Sequence, residues 1–227
     1  MRGKIGQLLW LSRQSRPDLS YDASELASRV NLAKVKDIID TNKIIKKAKG
    51  ERVTLKFKKL ESPCLMIFTD ASLGNCADGG TQGGYFLCLK DKTNNMTPLS
   101  WNSKKLRRVA RSTLTAETLA MTEGMDTGIY AACLYSELLF GKPNCDNMTT
   151  KLLTDGQSLF DAIESNKSVQ EKRLRMEIAS IKEAISKKQI SKIEWVNTEN
   201  QLADCLTKKG SSPLKLLKAL EKGMIEA

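Results

Sequence analysis

The sequence predicts an α/β protein built on a five-stranded mixed sheet flanked by helices, with a small, mostly helical unit before it. Two observations carry this prediction. From residue 64 onward, apolar runs of strand length and helical periodicities follow in the order β-β-β-α-β-α-α-β-α. The first and fourth strands end in the same pair of residues, Thr69-Asp70 and Thr154-Asp155. A helical crossover between these two strands makes them parallel neighbours.

Residues 1–61 form the predicted helical unit. Three helices are expected there, over about 3–15, from Asp18 or Ser20 to about Val30, and over about 33–49. Strict alternation in residues 52–58 predicts a half-buried strand with a basic outer face. Glu61-Ser62-Pro63 indicates a linker. The unit is too short to bury a robust core alone, so we expect it to lean on another domain.

Residues 62–210 hold the predicted sheet, and residues 211–227 form a C-terminal helix. The first strand ends at Asp70, and two more strands follow it as an antiparallel meander. A long helix from Ser112-Thr113 to about Phe140 separates the meander from the fourth strand, which ends at Asp155. The remaining predicted elements are a helix after Gly156-Gln157, a helix over about 170–188, a strand over 192–196 and a helix over 199–206.

The composition restricts the chemistry that this chain can perform. Lys and Arg outnumber Asp and Glu by 37 to 26, and the net charge of +11 favours a polyanionic partner such as nucleic acid or an acidic membrane surface. A basic protein without such a partner would show the same charge. The chain has no histidine, which excludes a Ser-His or Cys-His pair and any His-ligated zinc.

Cysteines and apolar runs bear on the cellular setting. Six scattered cysteines without a CxxC pair indicate buried free thiols in a reducing compartment. No apolar run approaches the roughly 20 residues of a membrane span, so we expect no membrane partner. The first residues do not have the pattern of a secretory signal.

Four carboxylates are expected to meet in the predicted fold: Asp70, Glu117, Asp155 and Asp204. Asp70 and Asp155 end neighbouring parallel strands, whereas Glu117 lies on the apolar stripe of the long helix and Asp204 in a late helix. Close carboxylates repel one another unless cations bind them. Two Mg²⁺ ions roughly 4 Å apart, or Mn²⁺ in their place, can activate water for phosphodiester hydrolysis. Carboxylates that lie apart, or that lysines and arginines neutralise, would contradict this site.

Several motifs in a fixed order resemble the ribonuclease H domain of a copia-type long-terminal-repeat retrotransposon polyprotein. They are Thr69-Asp70-Ala71-Ser72, Ser100-Trp101-Asn102-Ser103-Lys104-Lys105, Ala116-Glu117, Thr154-Asp155, Asn200-Gln201-Leu202-Ala203-Asp204 and Leu206-Thr207-Lys208. Residues 6–59 are similar to the end of the reverse transcriptase that precedes this domain in the family. That similarity rests on Ser15-Arg16-Pro17-Asp18-Leu19-Ser20 and on Lys49-Gly50.

The resemblance implies a ribonuclease H-like fold and cleavage of the RNA strand of RNA–DNA hybrids by two metal ions. Carried over residue by residue, the ligands are Asp70, Glu117, Asp155 and Asp204, with Asp70 bridging both ions. The expected partners are the hybrid and the rest of the reverse transcriptase polyprotein, inside the cell, in a cytoplasmic retrotransposon particle or the nucleus. Contacts to nucleic acid are expected from Ser72, Lys104, Lys105, Gln157, Lys172, Arg173 and Asn200.

The chain departs from the family at three points. Residues 170–175 replace a frequent His-x-Arg-Thr-Lys-His, and Asp155-Gly156 replaces the usual Asp-Asn. The mobile histidine that helps product leave in several other ribonucleases H is missing. Two alternatives stay open: a non-catalytic nucleic-acid-binding or scaffolding module, and a recombinase or transposase of the same fold. Enzymes of the latter class usually carry their glutamate after the second aspartate, whereas Glu117 precedes Asp155.

Overall fold

A computed structural model describes residues 1–165, 169 and 171–226 of the chain. It opens with three helices, α1 (Arg2–Gln14), α2 (Ser20–Arg29) and α3 (Val35–Gly50). The three predicted helices are therefore confirmed, with ends that differ by one or two residues. Their apolar faces share a small core made by Ile5, Leu8, Leu19, Ala23, Leu26 and Ile44.

The sheet has five strands in the order β3-β2-β1-β4-β5. The strands are β1 (Cys64–Ser72), β2 (Gln82–Lys90), β3 (Met96–Lys105), β4 (Thr150–Thr154) and β5 (Lys192–Trp195). β1 pairs antiparallel with β2 and parallel with β4, β2 pairs antiparallel with β3, and β4 pairs parallel with β5. The chain has the predicted ribonuclease H-like fold.

The long helix α4 (Thr113–Phe140) packs on one face of the sheet, against β1 and β2. The Ser112 hydroxyl caps it by accepting a hydrogen bond from the Thr115 N–H at 3.1 Å. Gly124 and Gly128 allow a close approach to β1, because a Cβ on Gly128 would lie 2.1 Å from Ile67 Cδ1. This contact holds the middle of α4 against β1.

The remaining helices cover both faces of the sheet. α5 (Gln157–Glu164) and α6 (Lys172–Ser186) share the core of α4, with Leu159 and Ile178 buried there. α7 (Leu214–Lys222) packs on the opposite face, where alternate residues of β1 form a second core. The predicted helix over about 170–188 is α6, and Gln170 lies outside the described residues. No helix among the described residues is long and apolar enough to cross a membrane.

The predicted helix over 199–206 is wrong. Two short 3-10 turns, Thr198–Asn200 and Asp204–Leu206, occupy this stretch instead. Between them, the Gln201 side-chain oxygen accepts the Ala203 N–H at 3.2 Å, which satisfies a backbone donor that an α-helix would have paired. The apolar residues with helical spacing are buried all the same, beneath the face that α7 covers.

The predicted strand over 52–58 is also wrong, since none of residues 51–60, all described, lies in a helix or strand. The backbone groups of this stretch form isolated hydrogen bonds with different elements instead of a strand ladder. The Lys56 N–H donates to Leu220 O at 3.0 Å, and Lys58 exchanges two hydrogen bonds with the Thr97 hydroxyl. The alternation in the sequence therefore reflects one-sided packing of Leu55 against the second core, without strand pairing.

The N-terminal helices contact the sheet through β3. The Trp101 indole N–H donates to Ser12 O at 2.7 Å, and α2 lies along β3. The predicted boundaries at residues 61 and 210 stay predictions. All six cysteines are free thiols.

Candidate functional site

Asp70 lies in β1 at a point where the strand has a partner on one side only. The ladder with β2 continues to Ser72, whereas the ladder with β4 ends at Phe68, opposite Leu153. The prediction that β1 ends at Asp70 is therefore wrong. The strand continues past Asp70, and this residue is only 1% exposed.

Asp155 follows β4 directly, and a buried amide ties it to β1. The Gln201 Nε2 donates to Thr69 O at 3.0 Å and to Asp155 Oδ1 at 3.4 Å. The structure therefore places the Asp155 carboxylate beside the residue that precedes Asp70, as the two parallel strand ends predict.

Glu117 lies on the face of α4 that meets the sheet and is 7% exposed. Burial, together with the charges of Asp70 and Asp155, raises the pKa of Glu117 to about 9. Its Oε2 has no hydrogen-bond partner in the part of the chain that the structure describes. A buried carboxylate oxygen without a donor is rare and unfavourable, so this position lacks a positive or donor group.

The aspartates belong to the same electrostatic unit. Burial raises the pKa of Asp70 to about 7; Asp155 and Asp204 add to the rise, and Lys208 and Thr207 oppose it. Asp70 thus interacts with each of the other three acids, and Glu117 also with Asp155. We refer to Asp70, Glu117, Asp155 and Asp204, the four acids expected from the sequence, as the acid cluster.

Asp204 begins a 3-10 turn whose next residues reach back to β1. The Thr207 hydroxyl donates to Asp70 Oδ2, and the Ser211 hydroxyl donates to Asp204 Oδ2. The turn lies directly on β2, because a Cβ on Gly84 would be 2.9 Å from Leu206 Cβ. The absent side chain at Gly84, the register partner of Asp70, allows this approach.

Lys208 brings a positive charge into the acid cluster. Its Nζ donates to Asp204 Oδ1 and lies 3.9 Å from Asp70 Oδ2. Burial works against this charge, but Asp70 and Asp204 raise the pKa of Lys208. Full neutralisation of the carboxylates by lysines or arginines would contradict a metal site. Lys208 neutralises the acid cluster only in part. One ammonium faces four carboxyl groups, and the pKa values of Asp70 and Glu117 stay raised beside it.

The donor set of the acid cluster suits a hard divalent cation, although its present geometry does not enclose one. As the side chains lie, no three acidic or cysteine residues within 1–165, 169 and 171–226 are arranged to hold a metal ion. Carboxylate oxygens are the ligands that Mg²⁺ and Mn²⁺ prefer, and among the described residues Glu117 Oε2 has no competing partner. Binding would require Lys208 and Ser211 to release Asp204.

The residues predicted to contact nucleic acid lie at the same end of the sheet as the acid cluster or on nearby helices. Several of them already have partners within the chain. Lys104 pairs with Glu123 and Lys105 with Asp78. Asn200 accepts from Lys215 at 2.6 Å, Gln157 donates to Asp161 at 2.7 Å, and Ser72 is the last, half-buried residue of β1.

Lys172 and Arg173 begin α6 and line a cavity of about 870 Å³. Arg108 and Arg111, from the loop between β3 and α4, line the same cavity. We refer to these four residues as the basic groove. Sequence reasoning missed the two arginines, although the run Arg107-Arg108-Val109-Ala110-Arg111 is a visible signal of positive charge.

Sequence reasoning also missed the residues that hold the acids. Gln201, Thr207 and Lys208 were noted only as parts of matching motifs, and Ser211 only as the first residue of the C-terminal segment. One signal was available, since Lys208 follows Asp204 by four residues and can pair with it. The contact of Thr207 with Asp70 joins residues 137 positions apart, which no local pattern reveals.

No protein-family model matches the chain. A Saccharomyces cerevisiae protein named for the transposon Ty5-1 is 29% identical over 107 residues, which cover 46% of this chain and 33% of that protein. The match thus spans about a third of the length of this curated relative.

Among solved structures, the chain is similar to RNase H1 from Halobacterium salinarum, with a TM-score of 0.44 and 16% identity over 63% of this chain and 92% of that one. LC11-RNase H1, isolated from compost, has a TM-score of 0.44 and 17% identity, covering 63% and 91%. The prototype foamy virus protease-reverse transcriptase has a TM-score of 0.39 and 12% identity, covering 85% and 27%. Function is therefore inferred from the residues of the site.

Proposed function

We propose that this chain is the ribonuclease H domain of a copia-type retrotransposon, joined to the end of its reverse transcriptase. In this proposal it hydrolyses the RNA strand of RNA–DNA hybrids with two Mg²⁺ ions, which Mn²⁺ can replace. The hybrid and the rest of the reverse transcriptase polyprotein are its partners, in a cytoplasmic particle or the nucleus. The motif resemblance, the acid cluster and the net charge of +11 support this proposal.

The observation that carries the proposal is the burial of carboxyl groups that resist ionisation because no cation balances them. Glu117 is buried with an unpaired oxygen, and the pKa values of Glu117 and Asp70 are raised to about 9 and about 7. Burying a carboxyl group without a hydrogen-bond or ionic partner is unfavourable for stability. Divalent cations would turn this unfavourable arrangement into a binding site.

The residues of the chain take distinct roles in this proposal. Asp70, Glu117, Asp155 and Asp204 would hold the ions. Bound Mg²⁺ supplies an activated water and stabilises the leaving oxygen. Thr207 holds the Asp70 carboxylate, and Gln201 orients the Asp155 carboxylate toward β1. Because Lys208 bonds Asp204, its ammonium must move when an ion binds there.

Nucleic acid would lie across the end of the sheet that carries the acid cluster. The basic groove offers Arg111, Lys172 and Arg173 for phosphate contacts, and Arg108 after it releases Glu177. Ser72, Lys104, Lys105, Gln157 and Asn200 would contact the hybrid after exchanging their present partners. For Lys104 and Lys105 this means releasing Glu123 and Asp78.

A cleavage assay tests the proposal. RNA labelled within an RNA–DNA hybrid should be cut in Mg²⁺ by the wild-type chain, and Asp70→Asn should abolish cutting while hybrid binding persists. Asp146→Asn is the matched control, because Asp146 is exposed beyond the opposite end of β4. Well-folded wild-type protein that binds hybrid without cutting it in Mg²⁺ or Mn²⁺ would overturn the enzymatic proposal.

The second candidate is a non-catalytic nucleic-acid-binding or scaffolding module. The contacts of Lys208 and Ser211 with Asp204 favour it, since they close the acid cluster without a metal. This candidate requires binding without cleavage and no response of thermal stability to Mg²⁺. A rise in melting temperature with Mg²⁺ that Asp70→Asn removes would exclude it.

A further inference from the structure

A chain of hydrogen bonds connects α2 in the N-terminal segment with the turn that carries Asp204. It begins at Tyr21, whose hydroxyl donates to Asn75 O at 3.3 Å. The Asn75 side chain then donates from Nδ2 to Thr207 O at 3.3 Å. Tyr21 is buried, so bulk water does not compete with its bond. The backbone of Thr207 is thereby tied to a helix that lies nearly two hundred residues earlier in the chain.

A second chain of hydrogen bonds runs from α2 through two strands. The Gln82 Nε2 donates to Ser24 Oγ at 3.0 Å and to Ser103 Oγ at 2.8 Å. The Ser103 hydroxyl donates in turn to Leu206 O at 2.5 Å. Gln82, Ser24 and Ser103 are all buried, where a hydrogen bond is strong and an unpaired partner is unfavourable.

The two chains end on consecutive carbonyls of one short segment, those of Leu206 and Thr207. This segment is a single 3-10 turn without strand pairing, so its backbone orientation depends on such contacts together with the burial of Leu206 in the second core. The two carbonyls fix one side of the turn. The orientation decides where the Thr207 hydroxyl meets Asp70 and where Lys208 meets Asp204.

We propose that α2 positions the active-site turn, with Tyr21, Ser24 and Gln82 as positioning residues that act through Leu206 and Thr207. The N-terminal helical segment then completes the acid cluster, although none of its residues belongs to the cluster. The consequence for cleavage rests on the proposed function, whereas the consequence for the order of the turn does not.

The test is the double variant Tyr21→Phe with Ser24→Ala, which removes the two hydroxyl groups and leaves the apolar packing in place. Ser12→Ala is the matched control, because Ser12 is an equally buried serine of the same segment whose hydroxyl donates only to Leu9 O. Amide hydrogen exchange of residues 206–208 reports the order of the turn. Steady-state cleavage of a labelled hybrid reports the position of the acids.

We expect faster exchange at residues 206–208 in the double variant, with β2 and β5 unchanged. We expect kcat to fall by about tenfold to a hundredfold with KM for the hybrid unchanged, since a small misplacement of catalytic groups affects the chemical step. Ser12→Ala should change neither quantity. Unaltered exchange at 206–208 in the double variant, or equal losses in Ser12→Ala, would overturn the inference. If the wild-type chain cuts no hybrid, the proposed function fails while the exchange measurement still decides whether α2 orders the turn.

Discussion

The Lys208 ammonium donates to Asp204 and lies 3.9 Å from Asp70, so one lysine contacts two members of the acid cluster. These are carboxylates that a divalent cation would share under the proposed function. Under that function, the lysine and the ion would compete for the same oxygens. The stability of the chain would then depend on Mg²⁺, and the raised pKa values of Asp70 and Glu117 make it depend on pH.

Replacement of Lys208 by methionine should increase the response to Mg²⁺. The variant loses the ammonium that opposes repulsion among the carboxylates, so its metal-free form should be destabilised by about 1 kcal/mol, a modest value because Lys208 is partly exposed. Its gain in melting temperature on adding Mg²⁺ should exceed that of the wild type. Lys209→Met, at the exposed neighbouring residue, serves as control. Equal Mg²⁺ responses in Lys208→Met and wild type would show that lysine and metal do not compete.

The stability of the metal-free chain should fall as pH rises. Unfolded Asp70 and Glu117 release their protons near 3.8 and 4.5, whereas the folded groups keep them to about 7 and about 9. The folded state therefore binds more protons between these limits, and each rise in pH favours unfolding. No histidine complicates this window.

Urea unfolding in a chelator at about pH 5 and about pH 8 measures this dependence. Glu117→Gln should be more stable than the wild type at the higher pH by roughly 1 to 3 kcal/mol, because the amide is neutral without holding a proton that unfolded Glu117 would release. Glu164→Gln, on the exposed side of α5, should behave as wild type. A wild-type chain that gains stability from about pH 5 to about pH 8 would contradict the raised pKa values.

Alanine at Gly84 should displace the turn that carries Asp204. The new Cβ would lie 2.9 Å from Leu206 Cβ and 3.1 Å from the Asn102 backbone oxygen, neither of which is the flexible end of a side chain. We expect a loss of about 1 to 3 kcal/mol in unfolding free energy and a further loss of cleavage. Gly6→Ala on α1 is the control, because a Cβ there meets nothing within 4 Å. Equal unfolding free energies for Gly84→Ala and wild type would refute the close contact.

The basic groove should contribute to hybrid affinity through phosphate contacts. Lys172→Gln with Arg173→Gln should weaken binding and reduce the slope of log affinity against log salt by about 2, roughly 1 for each charge removed. Lys187→Gln with Lys188→Gln removes the same charge from the far end of α6 and should have a smaller effect. Fluorescence anisotropy with a labelled hybrid at several salt concentrations measures both slopes. Identical slopes would assign the basic groove no specific role.

Much of the fold could be predicted because period and order are local properties. The stripe on α4 and the crossover between parallel strands determine that β4 pairs with β1. Prediction failed where tertiary partners override a local pattern. The alternation in 52–58 belongs to a segment whose backbone pairs with Leu220 and Thr97, and the late helix gives way to the Gln201 side chain.

The acids of the candidate site could be predicted from the sequence, whereas the residues that hold them in place could not. A buried carboxylate stands out in an apolar run, so Asp70 and Glu117 were visible in the sequence. The groups that hold the acids, such as Thr207 and Gln201, are ordinary polar residues whose contacts span more than a hundred positions. The burial of Asp70 was missed because the sequence does not show that β1 extends beyond the last residue paired with β4.

The close contact of Gly124 and Gly128 with β1 bears on how the acid cluster could be altered. The helix contributes no side chain at these two positions, so its backbone lies directly against the side chains of Ile67 and Thr69. We expect this contact to fix the spacing between Glu117 and Asp70, because the two glycines follow Glu117 by about two and about three helical turns. Engineering the pocket for a larger cation would begin at those two glycines, far from any ligand.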